Sequence, residues 1–382
     1  MLLSHCYFYS LKYYPFPCFN SDISRQMIRL LLLLPFFFYV FPLYALEIRV
    51  RLPREELLSA RNEVVIKGAG KNKIIYSPSG NLRTKNNSLI YRGRNWGDSM
   101  EFLPRDKVFQ WGKRKYRGFL KIYLRGNQII PVNYLDIEDF LRGVIKGEIS
   151  PSWPRETLKA QIVAARSYAV YSMTGKKLFD LAAGTGDMVY GGIYWEDARI
   201  DKAIKETKGE ILLRKGKVVP GYFSACAGGR TEWASWVWKS APEYFVGVSC
   251  PFCKDSPYYR WKLKISKSAL SRYLGVKGVR NMEIISFTPS GRVNEIKVMG
   301  REEARVFAGN TFRKMIGYSR LRSTLFTFKT GLFFITFSGK GWGHGVGLCQ
   351  WGAKKMGELG YSYKEILKFY YPFAEVSNYE KK

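Results

Sequence analysis

Glu148 is the residue in this chain best placed to do chemistry. It closes an apolar-faced stretch within the run LDIEDFLRGVIKGEISPSWPRETLKAQIVAARSYAVYSM, residues 135–173. Four residues separate it from Val144, so on a helix it stays on the apolar side. Burial disfavours a charged carboxylate, and so does the negative end of a helix dipole. Both effects predict a raised pKa. A carboxyl kept protonated near neutrality can donate to a leaving oxygen. Spacing alone favours the plainer alternative, a solvated glutamate at a helix end. Lys159 and Arg166 follow on the next helix, seven residues apart. At about 100° per residue they point within roughly 20° of each other. They could bind an anionic group beside the acid, or simply form a solvated basic face.

Other candidates are fewer. His344 lies in Gly341-Trp342-Gly343-His344-Gly345, where glycines let backbone approach a ligand closely. A tight turn holding a hydrogen-bonded histidine is an equal reading. Cys250 and Cys253 have metal-ligand spacing, and Cys226 precedes them. Trp233, Trp236 and Trp238 could stack on sugar rings, although such clusters more often build a core. No second carboxylate motif matches Glu148. Asp187, Glu196 and Asp197 read as loop and surface charge.

These residues need elements to hold them. Residues 46–134 read mainly as strand, with Ile48, Val50 and Leu52 alternating with Arg49 and Arg51. Phe119–Leu124 and Gln128–Val132 flank Arg125-Gly126-Asn127, a hairpin signal. Asp136–Gly147 reads as a helix with Phe140, Leu141, Val144 and Ile145 on one face. Ser150-Pro151 ends it, and Pro154 opens a second helix to about Met173. Asp201–Thr207 reads as a helix. Ile211–Leu213 and Val218–Phe223 read as a hairpin. Residues 257–340 alternate strand with a helix near Leu270. Phe333–Phe337 reads as a strand, and Tyr363–Tyr370 as a closing helix.

Charge and the N-terminus narrow the setting. The 382 residues carry a formal charge of +31, which favours polyanions such as nucleic acid, anionic lipid or anionic wall polymer. Met27-Ile28-Arg29 opens a basic start. An apolar run through Val40 follows, and Leu43-Tyr44-Ala45 offers a cleavage site. Residues 27–45 therefore read as a signal peptide, with a retained anchor as the alternative. Residues 1–26 read as a mis-assigned extension, translation starting at Met27. Removing residues 1–45 takes away only Lys12, Arg25, Arg29 and Asp22 among the charged residues, so the chain stays strongly basic. Export weakens nucleic acid as a partner and favours anionic envelope material. It also leaves His344 as the lone histidine, which excludes a three-histidine metal site.

Several blocks together resemble the SpoIID/LytB family of sporulation and cell-wall proteins. Tyr116-Arg117-Gly118, Asn133-Tyr134-Leu135, Glu138–Val144 and Gly147-Glu148-Ile149 are similar to the approach to, and the bearing of, the family's acid. Ala160–Ala169 is similar to its signature helix. Val189–Gly192, Cys226–Glu232, Leu321–Thr324, Gly341–Gly347, Gln350–Ala353 and Tyr370–Pro372 match further blocks in order. The resemblance covers most of the chain after about Tyr116.

That resemblance implies a peptidoglycan lytic transglycosylase. Glu148 would be acid and then base, and Lys159 and Arg166 would support it. Substrate contacts are implied at Tyr168, Tyr190, Gly343, His344 and Gln350. Such enzymes cut between N-acetylmuramic acid and N-acetylglucosamine and leave a 1,6-anhydro end. The sugar supplies its own nucleophile, so the missing second carboxylate fits, whereas ordinary glycosidases need two. Where the family often has serine, this chain has Cys349, which removes any hydroxyl role there. Some members carry zinc through cysteine and histidine. Here Cys226, Cys250 and Cys253 could hold a structural zinc or, in an exported protein, form a disulfide. No cofactor is otherwise expected.

The expected architecture is α+β, with two lobes around a glycan-binding cleft and a helical segment carrying the acid. Residues 46–115 form a strand-rich segment and residues 116–375 the catalytic domain. The expected partners are peptidoglycan glycan strands, and a cell-wall amidase if the chain is instead a non-catalytic, LytB-like amidase enhancer. Nucleic acid is not expected. The expected location is periplasmic, in the wall or on the outer membrane face of the cytoplasmic membrane.

Overall fold

Alternating apolar residues over 46–134 do form strands. The computed structural model describes residues 46–379, apart from 176 and 185. The start site and the signal peptide lie outside the described residues. A seven-stranded sheet runs in the order 181–182, 47–51, 128–136, 119–125, 99–104, 63–68, 71–76. A second sheet of six strands holds 114–117, 108–111, 57–59, 79–85, 88–91 and 94–95. The hairpin around Arg125-Gly126-Asn127 forms with Phe119 opposite Tyr134 and Leu124 opposite Ile129. Strand 99–104 pairs with 119–125, so the first sheet continues across residue 115.

The fold is α+β, as expected. Its apolar interior falls into three clusters. The first fills the two N-terminal sheets and reaches helices 137–142, 155–172 and 198–206. The second gathers helices 350–358 and 363–370 with the loops around Cys226 and Cys250. The third packs helices 267–274 and 309–316 on the three-stranded sheets of residues 260–340.

The long helix Arg155–Ser172 belongs to two of these clusters. Pro154 occupies its N-cap position and Met173 its C-cap position. Leu158, Ile162, Ala165 and Ala169 recur at helical spacing and enter the first cluster. Ala160, Val163 and Ala164, on another face, enter the second. The small side chains there allow close approach: a Cβ on Gly221 would stand 2.0 Å from the Ala164 carbonyl oxygen.

Three expectations need correcting. The helix read over 136–147 is two pieces, Ile137–Arg142 and the single turn Ile145–Glu148. Gly143 breaks it because the Tyr190 ring fills the space beside its Cα, 2.5 Å from where a Cβ would be. The helix read from Asp201 begins at Ala198, because the Asp197 side chain accepts from the Arg199 N–H and caps it. The expected hairpin partner of Ile211–Leu213 is only Lys217–Val218. Phe223–Ser224 leaves that hairpin and pairs in parallel with Leu348–Cys349. Pro220 and Gly221 interrupt the run between them.

Candidate active site

A cavity of about 1200 Å³ opens beside Glu148. Its walls come from the turn 146–150, the middle of the long helix, the loop 177–189, the strand 223–224 with its flank, and the segment 342–351. Aromatic side chains dominate it: Trp153, Tyr168, Tyr171, Phe179, Tyr222, Trp238, Tyr258, Trp342 and Trp351. Flat apolar faces of this kind suit the C–H faces of sugar rings. Trp238 stacks on Tyr222 at 4.5 Å between ring centroids, and Tyr258 meets Trp342 edge-on at 4.5 Å. Trp351 leans on Trp153 at 5.4 Å.

The acid is positioned by backbone wedging. Trp195 lies between Gly147 and Gly191, and a Cβ on either glycine would come within 2.1 Å of the indole. Gly191 also donates its N–H to the Gly143 carbonyl at 2.9 Å. These contacts tie the Val189–Gly192 segment to the acid-bearing turn. The Val189 N–H and the Gln350 side-chain amide both lie near the Glu148 carboxylate and favour its charged form. Burial pushes the Glu148 carboxyl above its ordinary value and outweighs those two donors, which pull it down. The dipole invoked from the sequence plays little part, since Glu148 ends a single turn of four residues. Behind Gln350 stands Gln161 of the long helix, at 3.5 Å.

His344 faces the same cavity but is not an open acid or base. Its Nδ1 accepts the Val346 N–H at 3.0 Å, and its other ring nitrogen faces the Phe223 carbonyl. Burial lowers its pKa to about 3, with Arg313 and Arg292 adding to the effect. It is therefore a neutral imidazole that shapes the wall. Gly343 has φ +113°, and a Cβ there would strike the Ser224 Cβ at 2.6 Å. The Ser224 Oγ is buried, lines the cavity and has no hydrogen-bond partner among the described residues.

Tyr168, Gly343, His344 and Gln350 thus reach the cavity with Glu148. Tyr190 does not. It is buried between Tyr116 and Phe140, and its hydroxyl donates to Asn133 at 3.2 Å. Lys159 and Arg166 do not reach it either. Lys159 is drawn to Glu156 at 2.8 Å and Glu206 at 3.4 Å. Arg166 is buried, forks onto Glu138 at 2.9 and 2.7 Å, and donates to the Glu210 carbonyl. Both hold elements together at other faces of the helix. Lys146 and Lys177 are the cations on the cavity wall.

Asp187, discounted from the sequence, borders the cavity, and so does Asp180, which the sequence reading did not single out. Asp187, exposed, accepts from the Tyr168 hydroxyl at 3.0 Å and the Ala182 N–H at 2.9 Å. Asp180 is held by the Arg49 guanidinium. Glu196 pairs with Arg117 and Arg142, away from it. Of the three clustered tryptophans only Trp238 lines the cavity. Trp153, Trp342 and Trp351 went unassigned although each stands beside a Pro or Gly in a quoted block, which was the available signal.

The cysteines do converge. Cys226, Cys253 and Cys349 have sulfurs within 4.8 Å of one another, all buried and unpaired by disulfides. The Cys250 thiol stands beside this trio, 3.2 Å from the Tyr370 hydroxyl, and the Cys253 thiol donates to the Cys250 carbonyl at 3.6 Å. Cys349 is the member that sequence reasoning missed.

A family model described as Stage II sporulation protein (SpoIID) matches residues 125–213, and one described as a domain of unknown function (DUF8618) matches residues 252–347. The chain is 38% identical over 275 residues to an uncharacterised protein of Brachyspira hyodysenteriae, covering 70% of this chain and 73% of that one. It is 30% identical to the stage II sporulation protein D of Bacillus amyloliquefaciens, covering 64% of this chain and 75% of the relative. It is 31% identical to the amidase enhancer of Bacillus subtilis, covering 63% of this chain and 40% of that longer protein. The chain belongs to the SpoIID/LytB family.

Proposed function

We propose that this protein is an exported lytic transglycosylase acting on peptidoglycan, with Glu148 as its acid and base. The observation that carries the reading is the Glu148 carboxyl, biased toward its protonated form by burial, on the wall of an aromatic cavity large enough for several sugar rings. The protonated carboxyl donates to the glycosidic oxygen as its bond to C1 of N-acetylmuramic acid breaks. The carboxylate then takes the proton of the muramyl 6-hydroxyl as that oxygen bonds to C1. The products are a 1,6-anhydro end and a free hydroxyl on the departing sugar. Glu148 is protonated again and no water is consumed. Gln350 and the Val189 N–H favour the carboxylate between the two proton transfers. Asp180 and Asp187 are each held by a positioning partner, so neither is needed as a nucleophile.

The positive charge of the chain supports an anionic wall polymer as the surface it works on. A second reading draws on the relative named an amidase enhancer. In it the cavity binds glycan strands without cutting them, and the partner is a cell-wall amidase. One experiment separates the two. The purified exported protein is incubated with glycan strands, and the products are analysed by mass spectrometry. Anhydro ends support the transglycosylase. Reducing ends mean a hydrolase. No products, together with stimulation of an added amidase, mean the enhancer.

A further inference from the structure

We propose that Cys226, Cys250, Cys253 and Cys349 form a closed tetrathiolate zinc site behind the acid. The four come from three separate elements. Cys226 follows the strand 223–224, Cys250 and Cys253 flank the single 3₁₀ turn Pro251–Cys253, and Cys349 is the N-cap of helix 350–358. All four are at most 1% exposed. Sulfurs on a tetrahedral zinc, about 2.3 Å from the metal, stand about 3.8 Å apart. The sulfurs of Cys226, Cys253 and Cys349, within 4.8 Å of one another, need only a small contraction to reach that spacing, and the buried Cys250, whose sulfur lies outside that trio, would turn inward to complete the set.

The surroundings suit thiolates. Two of the sulfurs have a neighbouring donor group. The Ala227 N–H points at Cys349 Sγ at 3.1 Å. The Tyr370 hydroxyl lies 3.2 Å from Cys250 Sγ. Gly228 and Gly229 have φ of +71° and +110°, which turns successive N–H groups inward as an anion-binding nest does. Neutral thiols or half-cystines, as weak acceptors, gain little from such an array. Zinc with four thiolates keeps a net charge of −2. The buried Arg292 guanidinium donates at 2.8 Å to the carbonyl of Ala227, the residue whose N–H points at Cys349, and offsets that charge.

Four soft ligands in a tetrahedral set select zinc or iron, and a set with no open position is structural. Its role follows from the chain: Cys349 is adjacent to Gln350, which lines the cavity with Glu148. The metal would thus fix the acid's neighbour from behind. The site stands without the glycan-cleaving reading, and only this last consequence rests on it.

The test uses the processed protein from its native host, which without residues 1–45 keeps four of the six cysteines, purified without reductant or chelator. We expect one zinc per chain by elemental mass spectrometry and four titratable thiols after denaturation with chelator. Replacement by Co(II) should give the intense sulfur-to-metal charge-transfer and tetrahedral visible bands of four thiolates. Cys349→Ser should shift those bands to a three-thiolate pattern and lower zinc occupancy at least tenfold under competition with a chelator. Where Cys349→Ser does not fold, the wild-type Co(II) spectrum and thiol count decide alone. A metal-free protein that gains mass on reduction, as disulfides do, overturns the proposal. So does bound iron, or a cobalt spectrum of three thiolates in the wild type. Loss of glycan cleavage in protein that keeps its zinc would count against the reaction, not against the site.

Discussion

Glu148 combines burial with two hydrogen-bond donors, and these press its titration in opposite directions. Burial wins, so the folded chain holds the proton more tightly than the unfolded chain does. Stability therefore falls as pH rises from the ordinary carboxylate value of 4.5 through the raised one, and stays lower above it. Glu148→Gln, which keeps shape but carries no charge, should melt higher than the parent at pH 7–8. That advantage should vanish below the ordinary carboxylate range, as differential scanning calorimetry would record. The same variant should lose about 10²–10⁴ in rate of anhydro-product release, at the upper end because one residue both gives and takes the proton. Near-parental anhydro product would remove Glu148 from the mechanism. Arg166 behaves differently from its sequence reading. Its guanidinium is buried against Glu138, so Arg166→Ala leaves a carboxylate unpartnered. We expect a loss of about 3–5 kcal/mol in denaturant unfolding with activity per folded molecule retained. An unaltered unfolding midpoint with reduced turnover would restore Arg166 to the site.

Between elements, the acid is placed by wedges. Trp195 fills the gap that Gly147 and Gly191 leave, and Tyr190 fills the one beside Gly143. Gly147→Ala should push the indole away and swing the neighbouring carboxyl off its donors. An overpacked contact of this kind costs about 1–3 kcal/mol. We expect a lower melting temperature, altered tryptophan fluorescence and reduced glycan cleavage together. Unchanged fluorescence and activity would mean that Trp195 does not set the turn. The elements themselves were largely legible in the sequence. The 119–136 hairpin follows from alternation around a Gly-Asn turn, and the 155–172 helix from its proline start and apolar periodicity. The break at Gly143 was not legible. Its cause is an aromatic ring more than forty residues away, which no local pattern records.

Across the whole molecule the excess of basic residues is the dominant long-range feature, and it acts on association rather than on fold. Binding of the exported protein to purified walls should weaken as salt rises from 0.1 M, where the screening length is about 10 Å, toward 1 M, where it is about 3 Å. Sedimentation with walls at several salt concentrations checks this. Salt-independent binding would assign retention to the aromatic cavity instead of to charge.

The sequence by itself determined the α+β class, the family, the glutamate that the cavity surrounds, and three of the four neighbouring cysteines. Those follow from local alternation, helical spacing and motif blocks, which are written in neighbouring residues. Only the tertiary structure decided what each helix face meets. Helical spacing states that Lys159 and Arg166 share a side, but not that Glu206 and Glu138 on other elements draw them away from Glu148. It also decided that Cys349, 96 positions beyond Cys253, closes the thiol cluster. The parallel pairing of 223–224 with 348–349 brings it there, and such a long-range pairing leaves no periodic trace in the chain.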